Sequence, residues 1–164
     1  MSGRNLSQEQ ILTILTATPP RIAELTDCLA PDQHLAAPHP GEWSANEVLA
    51  HLRSCADVWG SCIAVIISED APAIRAVNPR TWIKKTDYRE QEFQPSLQAF
   101  TAQRADLLAM LEPLTPGDWF RAATVTGAGK PLVRTVHFYA QWLAIHERPH
   151  IKQIERIAKT MRGL

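Results

Sequence analysis

The 164-residue sequence predicts an all-α protein, an antiparallel four-helix bundle, on three observations. Long stretches carry apolar residues at steps of three and four, glycine and proline cluster between those stretches, and two stretches open with a complete capping signature. A chain of this length is expected to form a single domain, residues 1–164, with room for one hydrophobic core.

The first stretch is LSQEQILTILTATPPRIAELTDCLA. Ser7 and Gln10 form a capping box, and Leu6 and Ile11 stand where a hydrophobic staple needs them. Pro19 and Pro20 each lack a backbone donor, so the expectation is a helix to about Ala17 and a second piece from about Pro20 to Leu29. The loop APDQHLAAPHPGEW comes next, and its His34 and His39 are expected in solvent. The second long helix starts in GEWSANEVLAHL, with Ser44 as N-cap, Glu47 as its reciprocal partner, and Trp43 and Val48 as staple. Val48, Leu52, Cys55, Trp59, Cys62 and Ile66 then share one inward face, and the helix runs to about Ser68.

Residues 69–90, EDAPAIRAVNPRTWIKKTDYRE, show no period and hold two prolines. A loop this long inside a compact domain is usually functional, and a lid is the natural reading. Arg75, Arg80, Lys84 and Lys85 give it a local positive character. The third helix covers about Gln94 to Leu111, with Leu97, Phe100, Leu107, Leu108 and Leu111 inward. TPGDW is then a capped turn, with Pro116 at the first helical position. RAATVTGAGKPL is turn-rich and allows a short hairpin. The last helix is expected from near Pro131 to about Thr160, its face being Leu132, Val136, Tyr139, Leu143, Ile154, Ile157 and Met161.

Composition narrows the function. Seventeen basic and seventeen acidic residues cancel, which gives no basis for a nucleic-acid or anionic-membrane partner. No apolar run reaches the ~18 residues of a membrane span, and the start MSGRNLSQEQ is not a secretory signal. Three cysteines, Cys28, Cys55 and Cys62, suit reduced thiols and a cytoplasmic location.

The last apolar face has a gap between Leu143 and Ile154, filled by His146 and His150. Four residues is about one turn, so both imidazoles project to one side. On the second helix His51 lies between Val48 and Cys55, on or beside the inward face. Three costly polar groups on core faces want one explanation, and three imidazoles leave a coordination position open, as catalytic zinc sites do. His137, about 100° around the helix from Val136, is a weaker candidate. The segment HERPH also matches the zinc-peptidase pattern HExxH. That reading fails on two counts: Glu155 is the only carboxylate after His150 to supply a third ligand, and Pro149 removes a helix donor between the histidines.

GEWSANEVLAHL, LAIHERPHIKQIERI and the intervening FTAQRADLLAMLEPLTPGDWFR together resemble the DinB-like superfamily, including its YfiT-like metal-dependent hydrolases. The resemblance covers roughly residues 6–158. It implies a four-helix bundle holding a divalent metal, nickel or zinc, on three histidines, here His51, His146 and His150. It also implies a hydrolase, or a transferase using a low-molecular-weight thiol, and a homodimer; Pro149 departs from the pattern.

The residues leave two functional readings. In the first, a metal-bound water or thiol attacks a small-molecule substrate. Glu147 is then a candidate base, Glu47 a candidate partner for His51 when not absorbed by its cap, and Trp59, Trp82, Tyr139 and Trp142 candidate pocket walls, Trp82 as a lid. Cys55, one turn beyond His51, is a soft ligand or a small core residue. In the second, the protein is a non-catalytic metal or small-ligand binder with a stress-response role.

Overall fold

The computed structural model describes residues 5–163. Four long helices form the body: α1 (Gln8–Thr26), α3 (Ala45–Ser68), α5 (Phe93–Leu111) and α6 (Val136–Met161). Short helices α2 (Pro31–Leu35) and α4 (Pro79–Trp82) decorate the connections. α1 and α3 each pack against both α5 and α6, so the four close around one interior.

The strict all-α expectation is corrected by a three-stranded sheet, β1 (Ala73–Arg75), β2 (Ala122–Thr126) and β3 (Leu132–Thr135), in the order β1-β2-β3. β2 and β3 are the antiparallel hairpin that the turn-rich segment allowed, with Gly127 and Gly129 at φ 89° and 86°. Glycine populates that region without the penalty other residues meet. β1 comes from the long loop and pairs in parallel with β2, matching Ala73 to Thr124 and Arg75 to Thr126. α6 therefore starts later than expected. Leu132 is 42% exposed and belongs to the hairpin, not to the helix face. Thr135 ends β3 and caps α6, its hydroxyl accepting from Phe138 N at 3.0 Å.

The second correction is α1, which runs unbroken through Pro19 and Pro20. Pro19 cannot donate to the Leu15 carbonyl, which a helix requires of that position. Arg104 of α5 donates to that oxygen instead, Nη1 to O at 3.0 Å. His34 is the third: it is buried at 4% exposure and stacks on Phe93 with ring centroids 4.3 Å apart. His39 is exposed, as expected.

The capping boxes at Ser7–Gln10 and Ser44–Glu47 are both formed. By length and composition α3 could also cross a membrane; its most apolar positions lie in the interior of this fold. The described cysteines are all free thiols.

The core divides into two apolar halves. One gathers Ile11, Leu15, Cys55, Ile63, Leu107, Leu111 and Leu143; the other gathers Ile22, Val48, Leu52, Phe100, Ile154 and Ile157. Between them on α5 and α6 lie the buried Arg104 and Glu147, with His146 and His150 beside them in sequence. The interruption that the α6 pattern showed is a polar layer across the bundle.

Candidate metal centre

α3 and α6 bring His51, His146 and His150 together. Ring centroids are 5.1 Å apart for His51–His146, 4.9 Å for His51–His150 and 4.7 Å for His146–His150. The one-turn spacing on α6 survives Pro149, because the proline lies on the exposed side of an unbroken helix. Nε2 of His51 and Nε2 of His146 face each other at 3.3 Å. His150 turns its Nδ1 to Gln153 Oε1 at 2.9 Å. An Nδ1–H donated to that amide oxygen leaves the Nε2 lone pair of His150 free, the usual way a neighbouring group sets a ligand's tautomer.

By donor-atom distance, Cys55 rather than His150 is the third member with His51 and His146. Its Sγ lies 3.7 Å from His51 Nε2, and donor atoms of His51, Cys55 and His146 all fall within 4.8 Å of one another. Zinc–nitrogen and zinc–sulfur lengths of about 2.05 and 2.3 Å put tetrahedral edges at about 3.3 Å for N···N and 3.6 Å for N···S. The observed 3.3 and 3.7 Å approach those edges. Nδ1 of His146 is buried without a hydrogen-bond partner, so this ring lacks the outer acceptor that Gln153 gives His150.

Aromatic walls flank the cluster. Trp43 stacks on His150 at 6.5 Å and tilts over His51 at 5.3 Å. Trp59 meets His146 edge-on at 5.2 Å and Trp142 at 5.8 Å. Two cavities reach the cluster on either side of Trp43. One, of about 360 Å³, includes His51 and Glu47 in its lining; the other, of about 580 Å³, includes His150, Gln153 and Arg156.

Burial pushes the imidazoles of His51 and His146 down to about 4, with further depression from His150 and Arg80. Neighbouring His146 and Arg89 also lower His51. Both rings are neutral at pH 7 and offer lone pairs. Burial also raises the Cys55 thiol to about 12, and the nearby Glu147 charge adds to it, with Arg80 opposing.

Several expected roles are corrected. Glu147 is not available as a base: at 2% exposure both its oxygens are engaged by the Arg104 guanidinium, Oε1 at 2.9 Å from Nη1 and Oε2 against Nη2. Glu47 does not orient His51 here; its Oε2 accepts from Ser44 N at 2.8 Å, although the residue lines the His51 cavity. Trp82 lines neither cavity that reaches the histidines, and its Nε1 donates to Asp57 Oδ2 at 3.0 Å. Tyr139 is buried with its hydroxyl against Cys62. Trp142 is 48% exposed and meets the site through Trp59. His137 points to the Leu6 carbonyl at 2.9 Å, away from the cluster. Trp43 and Gln153 are the members that sequence reasoning misses. In the sequence Trp43 reads only as a staple. Gln153 stands three residues after His150, on the same face, a spacing that could have revealed it.

A helical bundle with three imidazoles converging inside it defines a class of candidate metal proteins. The chain belongs to the DinB superfamily, whose family model matches residues 14–154. It is 28% identical over 153 residues to a protein of Geobacillus thermodenitrificans (strain NG80-2) named "Putative metal-dependent hydrolase", covering 84% of this chain and 80% of that protein. Its fold is also that of YfiT from Bacillus subtilis, described as "a probable metal-dependent hydrolase with an unusual four-helix bundle topology". That match has a TM-score of 0.79 at 19% identity, covering 98% of this chain and 93% of the other.

Proposed function

We propose that this chain binds a divalent transition metal, nickel or zinc, and is a metal-dependent hydrolase of a small molecule. The observation that carries this reading is the approach of donor atoms of His51, Cys55 and His146 to within 4.8 Å of one another, with the His150 ring beside them at centroid distances of 4.9 Å from His51 and 4.7 Å from His146. The donor set fits: neutral imidazole is a common ligand for both metals.

His51 and His146 would hold the ion through Nε2, and His150 through the Nε2 left free by Gln153. A bound ion supplies Lewis acidity and lowers the pKa of a water or thiol drawn from solvent. The chain's own groups do the rest. Trp43 and Trp59 shield the cluster and fix the planes of the rings. Glu47 is the carboxylate among the residues lining the His51 cavity, which supports it as the group that would take a proton there, through the oxygen not used in the Ser44 cap. The 3.7 Å approach of Cys55 supports a second donor set, in which sulfur replaces His150 or adds to the three nitrogens.

The test is metal analysis and equilibrium binding on tag-free protein, with a subsequent hydrolysis panel run with and without added nickel or zinc. Expected are one tightly held ion per chain, loss of binding in His51→Ala and His146→Ala, and turnover only in the loaded protein. Protein that takes up neither ion would overturn the metal reading. Stoichiometric metal without turnover across the panel would favour the non-catalytic binder.

A further inference from the structure

We infer that the cavity opening on His51 is a subsite for an anionic substrate, a small molecule carrying a carboxylate or a phosphate. The cavity is about 360 Å³ and is lined by Arg80, Lys84 and Arg89 together with Trp43, Glu47 and His51. The three cationic side chains are exposed, and none has an acidic partner within salt-bridge distance among the described residues. The chain as a whole is neutral, so three cations around one cavity are a local concentration of charge. Glu47 offsets one charge and leaves the lining net positive.

The segment that carries these cations is fixed to the bundle at several points. Ser54 Oγ donates to the Pro79 carbonyl at 2.6 Å, immediately before Arg80. Asp57 accepts from Trp82 Nε1 at 3.0 Å and from the Tyr88 hydroxyl at 2.6 Å, on either side of Lys84. Asn46 Nδ2 donates to the carbonyls of Arg89 and Gln91 at 3.3 and 3.1 Å. Arg53 stacks on Tyr88 with its guanidinium carbon 3.8 Å from the ring centre. The backbone under the cations is thus tied to α3, and the cations stand around an opening that leads to a histidine of the cluster. Fixed cations at a concave mouth concentrate anions and orient their charged end. Arginine adds planar, two-pronged recognition of carboxylate and phosphate. A substrate held this way places its charged group at the mouth and its reacting bond toward His51.

The chemistry after binding rests on the metal-dependent reading; binding itself does not. The experiment therefore uses full-length protein both metal-free and metal-loaded. Sodium succinate, inorganic phosphate and neutral succinamide are titrated while backbone and indole N–H resonances are monitored by NMR. Expected in metal-free protein are saturable shifts centred on Trp43, Thr81 and Arg89 with at least one anion, and none with succinamide. Arg80→Gln/Lys84→Gln/Arg89→Gln should weaken the anion by roughly tenfold or more, whereas Lys130→Gln/Lys152→Gln/Arg162→Gln, which removes equal charge elsewhere, should not. Whichever of succinate and phosphate binds more tightly names the anionic group. No saturable shift with either anion would overturn the subsite, as would equal weakening by both triple variants. The metal content of the same samples is read separately. Anion binding without metal uptake would sink the metal reading and keep the subsite; metal uptake without anion binding would do the reverse.

Discussion

At the scale of single residues, the Arg104–Glu147 pair shows how one inward slot takes a role opposite to its neighbour's. His146 and Glu147 are adjacent on α6, about 100° apart, so one faces α3 and the other reaches α5. Arg104 donates to the Glu147 carboxylate and to the Leu15 carbonyl that Pro19 leaves without a donor. Replacing Glu147 with Gln removes one partner of a fully buried pair, so the expected loss is about 3 kcal/mol of stability by urea denaturation. Metal affinity in that variant should stay within a few-fold of wild type. A variant of normal stability that had lost all turnover would restore Glu147 as the base. The role of Cys55 has its own signature. Cobalt(II) bound through sulfur gives an intense near-ultraviolet charge-transfer band that nitrogen ligation lacks. If Cys55 is a ligand, Cys55→Ser removes the band and His150→Ala leaves it; an absent band in wild type assigns the three-histidine set.

At the scale of elements, prolines in α1 and α6 test how a helix absorbs a missing donor. Pro149 leaves the Ile145 carbonyl unbonded, but both residues are exposed and water can serve that oxygen. Pro19 is buried, and its lost donor is replaced by Arg104. Pro149→Ala restores a helix bond with no competitor and should raise stability by about 1–3 kcal/mol. Pro19→Ala restores a bond to an oxygen already satisfied and should gain less. Chemical denaturation of both variants checks the order, and the reverse order would refute the role given to Arg104. Metal affinity should change little in Pro149→Ala, because His146 and His150 already sit one turn apart at 4.7 Å. The same contrast explains what is legible in the sequence. Caps at Ser7 and Ser44 are local, and both are readable. The continuity of α1 is not, because it depends on a side chain 85 positions after Pro19. β1 is also hidden: a three-residue strand pairing with a segment some fifty residues later leaves no period to detect. In the site, spacing on α3 and α6 points to the three histidines, whereas the removal of Glu147 needs knowledge of where α5 lies.

At the scale of the whole molecule, the polar layer makes stability depend on pH in a direction set by burial. His51 and His146 have pKa values of about 4 in the folded protein, against about 6.5 in an unfolded chain. Between those values the unfolded state binds more protons than the folded one, so the free energy of unfolding falls as pH falls. The contribution is fully present above about pH 6.5 and is lost progressively toward pH 4. Metal-free wild type should therefore show a steeper drop in its urea midpoint over that window than His51→Asn/His146→Gln, and the two curves should run parallel above it. Ordinary carboxylates cannot mimic this, since their titration is common to both proteins and largely lies lower. Added nickel or zinc binds the folded state and should raise the wild-type midpoint at neutral pH. That gain should shrink on acidification, because protons compete for the same imidazole lone pairs. Parallel midpoint curves from pH 7 to pH 4 would mean that the fold does not desolvate the two imidazoles, and neutral ligands waiting in the bundle would lose their physical basis.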